Sequence, residues 1–217
     1  MEIAGIDVSR WQGDVDWEQV KKAGAGFVML RAAAGLREDV RFRENARGAA
    51  AAGLPMGTYL YSLARTPGEA RAEAEFLLEL TEEFRMEYPL AYDIEDGVQG
   101  KLTNEERTAL AESFCGKIEE AGRYALLYSS KSWLENRFVA ERIARYDQWV
   151  AQWSSRNTYR GNAGMWQYTN AGRVDGIRGN VDGNIAYRDY PKLTAALKNP
   201  GWRRESDKWY YGGVRDR

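Results

Sequence analysis

The sequence predicts an α/β barrel that is regular in its first half only, with five strand–helix units followed by three plain strands. Three observations carry this. First, three stretches share one layout, a helical pattern closing in Ala-Gly with an apolar strand a few residues on. They are Ala23-Gly24 before Phe27–Leu30, Ala52-Gly53 before Gly57–Tyr61, and Ala121-Gly122 before Tyr124–Tyr128. Glycine just past a helix takes the left-handed conformation that stops it. Second, helix starts are marked. Thr66-Pro67-Gly68-Glu69 reads as an N-cap, Pro at the first helical position and a capping-box Glu, and Thr103-Asn104-Glu105-Glu106 repeats the box without the Pro. Third, the last strands follow one another with little helix between them.

In order, strands are expected at 3–8, 26–32, 56–61, 88–95, 124–128, 147–152, 164–168 and 181–187. Helices are expected near 16–23, 41–52, 67–84, 103–121 and 131–138. Alternating strands and helices imply a parallel sheet with helices outside it. An open doubly wound sheet is the competing arrangement. No Gly-x-Gly-x-x-Gly follows the first strand, which argues against a dinucleotide-binding version.

Composition narrows the chemistry. The 217 residues are 44% hydrophobic and 29% charged, enough for one substantial folded domain. A net charge of −1 without a long basic run gives no footprint for nucleic acid. There is no histidine, so Ser-His-Asp and Cys-His catalysis are excluded, as is the usual histidine-ligated zinc site. Acid–base work falls to Asp, Glu, Tyr or Lys, and no metal or cofactor is expected. The single Cys115 lies among apolar residues on an expected helix and reads as a buried structural thiol. No apolar run approaches the roughly 18–20 residues of a membrane span. Met1–Gly5 enters a strand pattern at once, with no signal peptide.

In parallel α/β barrels the active site lies at the C-terminal ends of the strands. Here those ends are polar or aromatic: Asp7, Arg31, Tyr59 and Tyr61, Asp93-Ile94-Glu95-Asp96, Tyr128, Gln152-Trp153 and Gln167-Tyr168. The eighth strand begins at Val181-Asp182. Polar residues gather wherever strands give way to loops, and that alone explains many of these. Asp93 and Glu95 are harder to dismiss. Two apart on a strand, they would share a face at about 7 Å. Carboxylates on an inward face repel, and burial raises the pKa of at least one. Either a cation such as Arg31 neutralises the pair, or its proton is used. A protonated Glu beside an ionised Asp is what glycosidases apply to an acetal. Eight Trp and 13 Tyr fit a carbohydrate cleft, although core packing is the commoner role for any one ring.

Several motifs resemble the glycoside hydrolase family 25 lysozymes. They are Gly5–Gly13 with Asp16-Trp17, Gly57–Ser62, Tyr92–Asp96, Trp149–Trp153, Trp166-Gln167-Tyr168 and Val174–Asn184, in order over roughly residues 3–191. The resemblance implies an irregular TIM-like (β/α)5(β)3 barrel that cuts the β-1,4 bond between N-acetylmuramic acid and N-acetylglucosamine. It implies Glu95 as general acid and Asp93 as the carboxylate that orients or stabilises the substrate's 2-acetamido group, and it leaves open a substrate-assisted route with that group as nucleophile. Asp7 and Asp182 would hold the network and tune the proton on Glu95. Tyr59, Tyr61, Gln152, Trp153 and Gln167 match cleft-lining positions, and the strand-end Arg31 and Tyr128 are added as substrate contacts. Three positions depart from the family pattern. Arg10 and Leu60 stand where His is frequent, and Gly183 where a larger apolar residue is. None removes a carboxylate.

The catalytic unit is expected at 1–197 and a separate tail at 198–217. Gly201-Trp202 through Trp209-Tyr210-Tyr211 resembles one partial choline-binding-type cell-wall repeat, either cut from an array or a remnant. The expected partner is bacterial peptidoglycan, met outside the cell or in the wall by a secreted protein or a phage-type lysin acting as a monomer. Two other readings stay open here. A non-catalytic glycan-binding module on the same fold predicts lost carboxylates. A hydrolase of another N-acetylated glycan such as chitin predicts a longer Asp-rich strand motif.

Overall fold

A computed structural model describes residues 1–197 in full, and the backbone alone of 198, 201–205 and 208–212. The elements run β1 (Ile3–Val8), α1 (Trp17–Lys22), β2 (Val28–Ala34), β3 (Arg37–Glu38), α2 (Phe42–Ala51), β4 (Met56–Tyr61), α3 (Pro67–Thr81), β5 (Leu90–Asp93), α4 (Gly97–Gly100) and α5 (Asn104–Glu120). They continue with β6 (Ala125–Ser130), α6 (Lys131–Asn136), α7 (Ala140–Ile143), β7 (Asp147–Ala151), β8 (Ala163–Gly172), β9 (Val181–Ala186), α8 (Tyr190–Lys198), β10 (Gly201–Glu205) and β11 (Lys208–Gly212). All eight expected strands and five expected helices are present. The short β3, α4 and α7 and the C-terminal α8 carry too few periodic residues, or too weak a start signal, to have been anticipated.

The local signals act as their chemistry requires. Gly24, Gly53 and Gly122 all have positive φ, ending the helices before β2, β4 and β6. Thr103 and Glu106 form a reciprocal capping box. Thr66 caps α3 by accepting from the Glu69 N–H, but the Glu69 carboxylate reaches one residue further back, to the Arg65 N–H at 2.6 Å. Cys115 is fully buried in α5, as a structural thiol should be.

Eight strands close into a barrel in the order β1-β9-β8-β7-β6-β5-β4-β2, with β1 returning to pair with β2. The sheet is not wholly parallel, which corrects the sequence expectation. β9 runs antiparallel to both β8 and β1, with Asp7 opposite Asp182. The reversal explains how a residue at the start of a strand can stand beside residues at the ends of others.

Strand alternation separates two cores. On β5, Leu90 and Tyr92 face the helices, where Tyr92 stacks on Phe114 of α5 at 4.3 Å between ring centroids. Ala91 faces the barrel interior with Phe27, Met29, Leu126, Tyr128, Trp149 and Met165. Asp93, two residues beyond Ala91, therefore caps the interior. The same period carries Asp7, Arg31, Tyr59, Tyr128, Trp149, Gln167 and Asp182 to the upper end, where the apolar filling stops.

β10 and β11 pair as an antiparallel hairpin, Trp202 opposite Tyr211. The aromatic side chains of the repeat-like tail, and with them its expected role, lie outside the described residues.

Candidate active site

The barrel mouth holds a cavity of about 590 Å³. Ten of the eleven residues expected at the site line it: Asp7, Arg31, Tyr59, Tyr61, Asp93, Glu95, Tyr128, Trp153, Gln167 and Asp182. Gln152 does not. Its side-chain amide closes a surface loop instead, donating to Thr158 Oγ1 at 2.9 Å and accepting from the Thr158 N–H at 3.0 Å. Its carbonyl accepts from Trp166 Nε1 at 2.7 Å. Gln152 thus braces the loop behind Trp153. Adjacency in sequence gave no way to tell the two roles apart.

Asp7 and Asp182 share the side of the cavity where β1 meets β9. Asp7 is buried, and its Oδ2 accepts from Gln167 Nε2 and from Asn184 Nδ2, each at 2.9 Å. Gln167 Nε2 also lies 3.2 Å from Asp182 Oδ2. The far side of the same amide is occupied too. Gln167 Oε1 accepts from Tyr128 Oη and Trp153 Nε1, both at 3.1 Å. Asn184 is fixed in turn by Trp149 Nε1, which donates to its Oδ1 at 2.8 Å. Burial, then the Asp182 charge, push the Asp7 pKa up to about 7, outweighing the two amide donors that pull it down. Burial raises Asp182 as well.

On the β5 side the strand ends at Asp93, and Glu95 lies just beyond it. The two do not sit alike. Asp93 is buried, and its Oδ1 has no hydrogen-bond partner among the described residues. Burial, followed by the charges of Glu95 and Asp7, drives its pKa well up. Glu95 opens to solvent within the concave mouth. Crowding by the surrounding protein, then the charges of Asp182 and Asp96, raise its pKa. Arg31 does not neutralise this pair. It is committed to the buried Asp39, with its Nε and a terminal nitrogen each 2.7 Å from Oδ2, and its pull on Asp93 is the weakest of the influences there.

Rings build the walls. Tyr59 and Tyr128 meet Trp149 edge-on at 5.8 and 4.7 Å. Tyr61 donates to Asp96 Oδ2 at 2.8 Å, and Asp96 itself caps α4. Trp153 is 59% exposed and Trp11 72%, so each presents ring surface to the cleft. The cavity also takes in Ser9, Gln12, Ser130, Trp149, Ala151 and Asn170, which the sequence reading did not name as site residues. Ser9, Gln12, Trp149 and Ala151 lie within motifs already singled out; nothing in the sequence marks Ser130 or Asn170.

The departures from the family pattern have local explanations. Leu60 is fully buried on the helix side of β4 and never meets the cleft. Arg10 lays its guanidinium over Trp11 at 4.6 Å. A Cβ at Gly183 would stand 2.7 Å from Tyr168 Cζ, so the ring of Tyr168 fills space that a larger residue at 183 would need.

Carboxyl groups that keep protons near neutrality, gathered with exposed rings in an open groove, match what cleavage of a glycosidic bond demands. Fold and site together define a glycoside hydrolase. The chain belongs to Glycosyl hydrolases family 25, whose pattern matches residues 6–177. It is similar to the uncharacterized protein YegX of Escherichia coli K12, 30% identical over 84% of this chain and 69% of that one. It is also similar to lysozyme M1 of Streptomyces globisporus, 28% identical over 91% and 72%. The solved modular autolysin LytC of Streptococcus pneumoniae superposes with a TM-score of 0.78 at 25% identity, covering 86% of this chain. The chain spans 47% of that autolysin's length. Among the described residues no helix is long and apolar enough to cross a membrane, and no group of His, Cys, Asp or Glu could hold a metal ion.

Proposed function

We propose that this protein is an N-acetylmuramidase that hydrolyses the β-1,4 bond between N-acetylmuramic acid and N-acetylglucosamine in bacterial peptidoglycan. Glu95 protonates the leaving glycosidic oxygen as the bond to the anomeric carbon breaks. The substrate's own 2-acetamido oxygen attacks that carbon, and Asp93 accepts the acetamido N–H. Water then opens the cyclic intermediate, giving its proton to Glu95. Asp7 and Asp182 set the charge that Glu95 experiences. Tyr59, Tyr61, Arg31, Tyr128, Trp153 and Gln167 form the binding surface. The substrate lies in the cell wall, so the protein acts there, either secreted or as a phage-type lysin, and as a monomer.

The observation that carries this reading is the convergence of four carboxyl groups, Asp7, Asp93, Glu95 and Asp182, with aromatic rings on one open cavity. A raised Glu95 pKa suits a general acid. The names of two similar proteins, lysozyme and autolysin, point to the same substrate.

The test is release of reducing sugar from purified peptidoglycan. Wild type should release it and Glu95→Gln should not. Silence from wild type, or equal release by both, would overturn the proposal. Proton NMR of the first-formed anomer checks the assisted route, which requires retention.

A further inference from the structure

Beside the catalytic cavity lies a second concavity of about 720 Å³, and Trp11 and Gln12 belong to the walls of both. Its other walls come from the 13–16 loop, the first turn of α1 and the 176–178 turn. We propose that this concavity is a subsite for the peptide stem carried by the muramic acid of the glycan, with Arg178 pairing to a stem carboxylate. The proposal rests on the muramidase reading and names a part of the substrate which that reading leaves unplaced.

The walls are fixed before any ligand arrives. Val15 bridges Ile177 in antiparallel fashion, and the Asp16 N–H donates to the Gly176 carbonyl at 2.9 Å. Gly176 has φ +96°, and a Cβ there would meet the Asp16 carbonyl oxygen at 2.4 Å. The turn can press so closely only because it carries glycine. On the other side, Gln12 Nε2 reaches the Asn180 carbonyl at 3.3 Å, tying the first loop to the segment before β9. A pre-formed wall spends less of its binding energy on ordering.

The charges favour a peptide over more sugar. The two carboxylates are already partnered. Asp14 pairs with Arg41 at 2.8 Å, and Asp16 accepts from the Gln19 backbone and side chain at 3.1 and 2.7 Å. Arg178 is exposed and makes no ion pair or hydrogen bond among the described residues. Among the described wall residues it is the cation without an ion pair, and it calls for an anion. Stem peptides bring carboxylates and backbone amides; an unsubstituted sugar brings neither charge. Among the described residues Trp11 is the only ring in this wall, where a run of sugar subsites would want several. Continuity through Trp11 and Gln12 puts the concavity within reach of a substituent on a sugar lying in the cleft.

Two substrates test this: soluble glycan strands with their stems, and the same strands stripped by an amidase, which leaves the lactyl carboxylate. Wild type, Arg178→Ala and Arg178→Glu are compared for kcat and KM on both, and wild-type turnover of stripped strands separates this question from the muramidase reading. On stem-bearing strands Arg178→Ala should raise KM roughly three- to tenfold with kcat held, and Arg178→Glu should raise it further. On stripped strands all three proteins should behave alike. No change on stem-bearing strands overturns the proposal. An equal change on both substrates also overturns it, because Arg178 would then be reading the lactyl group or the glycan. Failure of wild type to cut either substrate sinks the muramidase reading, and this subsite with it.

Discussion

Asp7 and Asp182 face each other directly across the antiparallel pairing of β1 and β9, and Gln167 Nε2 reaches an oxygen of each, at 2.9 and 3.2 Å. Burial, then the Asp182 charge, hold a proton on Asp7 far above the usual carboxylate range, with a pKa of about 7. In the unfolded chain the same group releases its proton near pH 4. Between these values the folded state binds more protons than the unfolded state, so this pair makes stability fall as pH rises from about 4 to about 7. Asp7→Asn keeps an oxygen to accept from Gln167 and Asn184 and turns an amide toward Asp182. Thermal unfolding across pH should show a shallower decline for the variant, with its gain over wild type greatest at and above neutrality, by up to a few kcal/mol. Activity should fall in the same protein. A parallel pH dependence in both would contradict the raised Asp7 pKa.

Glu95→Gln should lower the rate of glycan cleavage by about 10²–10⁴-fold. Stability should not fall and should rise somewhat near neutral pH, because Glu95 has a raised pKa and makes no hydrogen bond among the described residues. Unfolding curves and reducing-sugar release on one preparation check both halves.

The charge of Asp182 helps hold the proton on Glu95. Removing it with Asp182→Asn should lower the Glu95 pKa, so the alkaline limb of the pH–rate profile should move toward acid. A limb that stays put, or moves to higher pH, would mean that Glu95 is not the group titrating there.

The sequence was most informative where one residue type has one physical task. Glycines after Ala stopped three helices, Thr103 and Glu106 capped a fourth, and alternation put Asp93 above Ala91 on the barrel's inner face. Strand direction was not legible, because a period of two reads the same both ways, and β9 proved antiparallel. The exchange of partners among Gln167, Asn184 and Trp149 was hidden for another reason. An amide in a strand looks alike whether it faces water or holds a buried carboxylate; only closure of the barrel brings Asn184 to Asp7, 177 residues away. Gln152 misled because it adjoins Trp153 just past the end of β7, where its amide is taken up by Thr158 instead of the cleft.

The absence of a side chain at Gly183 should matter chiefly while Tyr168 is present, whose ring is nearer the site of a Cβ than Thr169 Cγ2 at 3.0 Å. Gly183→Ala would bring its Cβ to 2.7 Å from the Tyr168 ring and should cost roughly 1–3 kcal/mol. Tyr168 is 37% exposed and can be cut back without opening the core. Tyr168→Ala should therefore absorb most of the penalty, seen in a double-mutant cycle as a coupling of at least about 0.5 kcal/mol. Additive effects would place the strain in the backbone instead.

Gln167 is where the carboxyl pair and the aromatic wall meet, and its amide has a direction. The nitrogen faces Asp7 and Asp182, and the oxygen faces Tyr128 and Trp153. Gln167→Leu would leave the buried Tyr128 hydroxyl without its acceptor and Asp7 without one of its two donors. At roughly 1–3 kcal/mol for each unsatisfied buried group, a loss of about 2–4 kcal/mol is expected at every pH. Gln167→Glu separates the hydrogen bonds from the charge. Ionised, the new carboxylate still accepts from Tyr128 and Trp153 but turns an oxygen toward two others, and the like charges repel. Protonated, it can donate to Asp7 as the amide does. Gln167→Glu should therefore be strongly destabilised at neutral pH and approach wild-type stability in acid, whereas Gln167→Leu should stay low throughout. Unfolding midpoints of both variants from pH 4 to pH 8 would show whether the amide serves chiefly as a donor to the carboxyl pair. If Gln167→Glu tracked Gln167→Leu at acid pH, donation to the carboxyl pair would not be what the buried amide supplies.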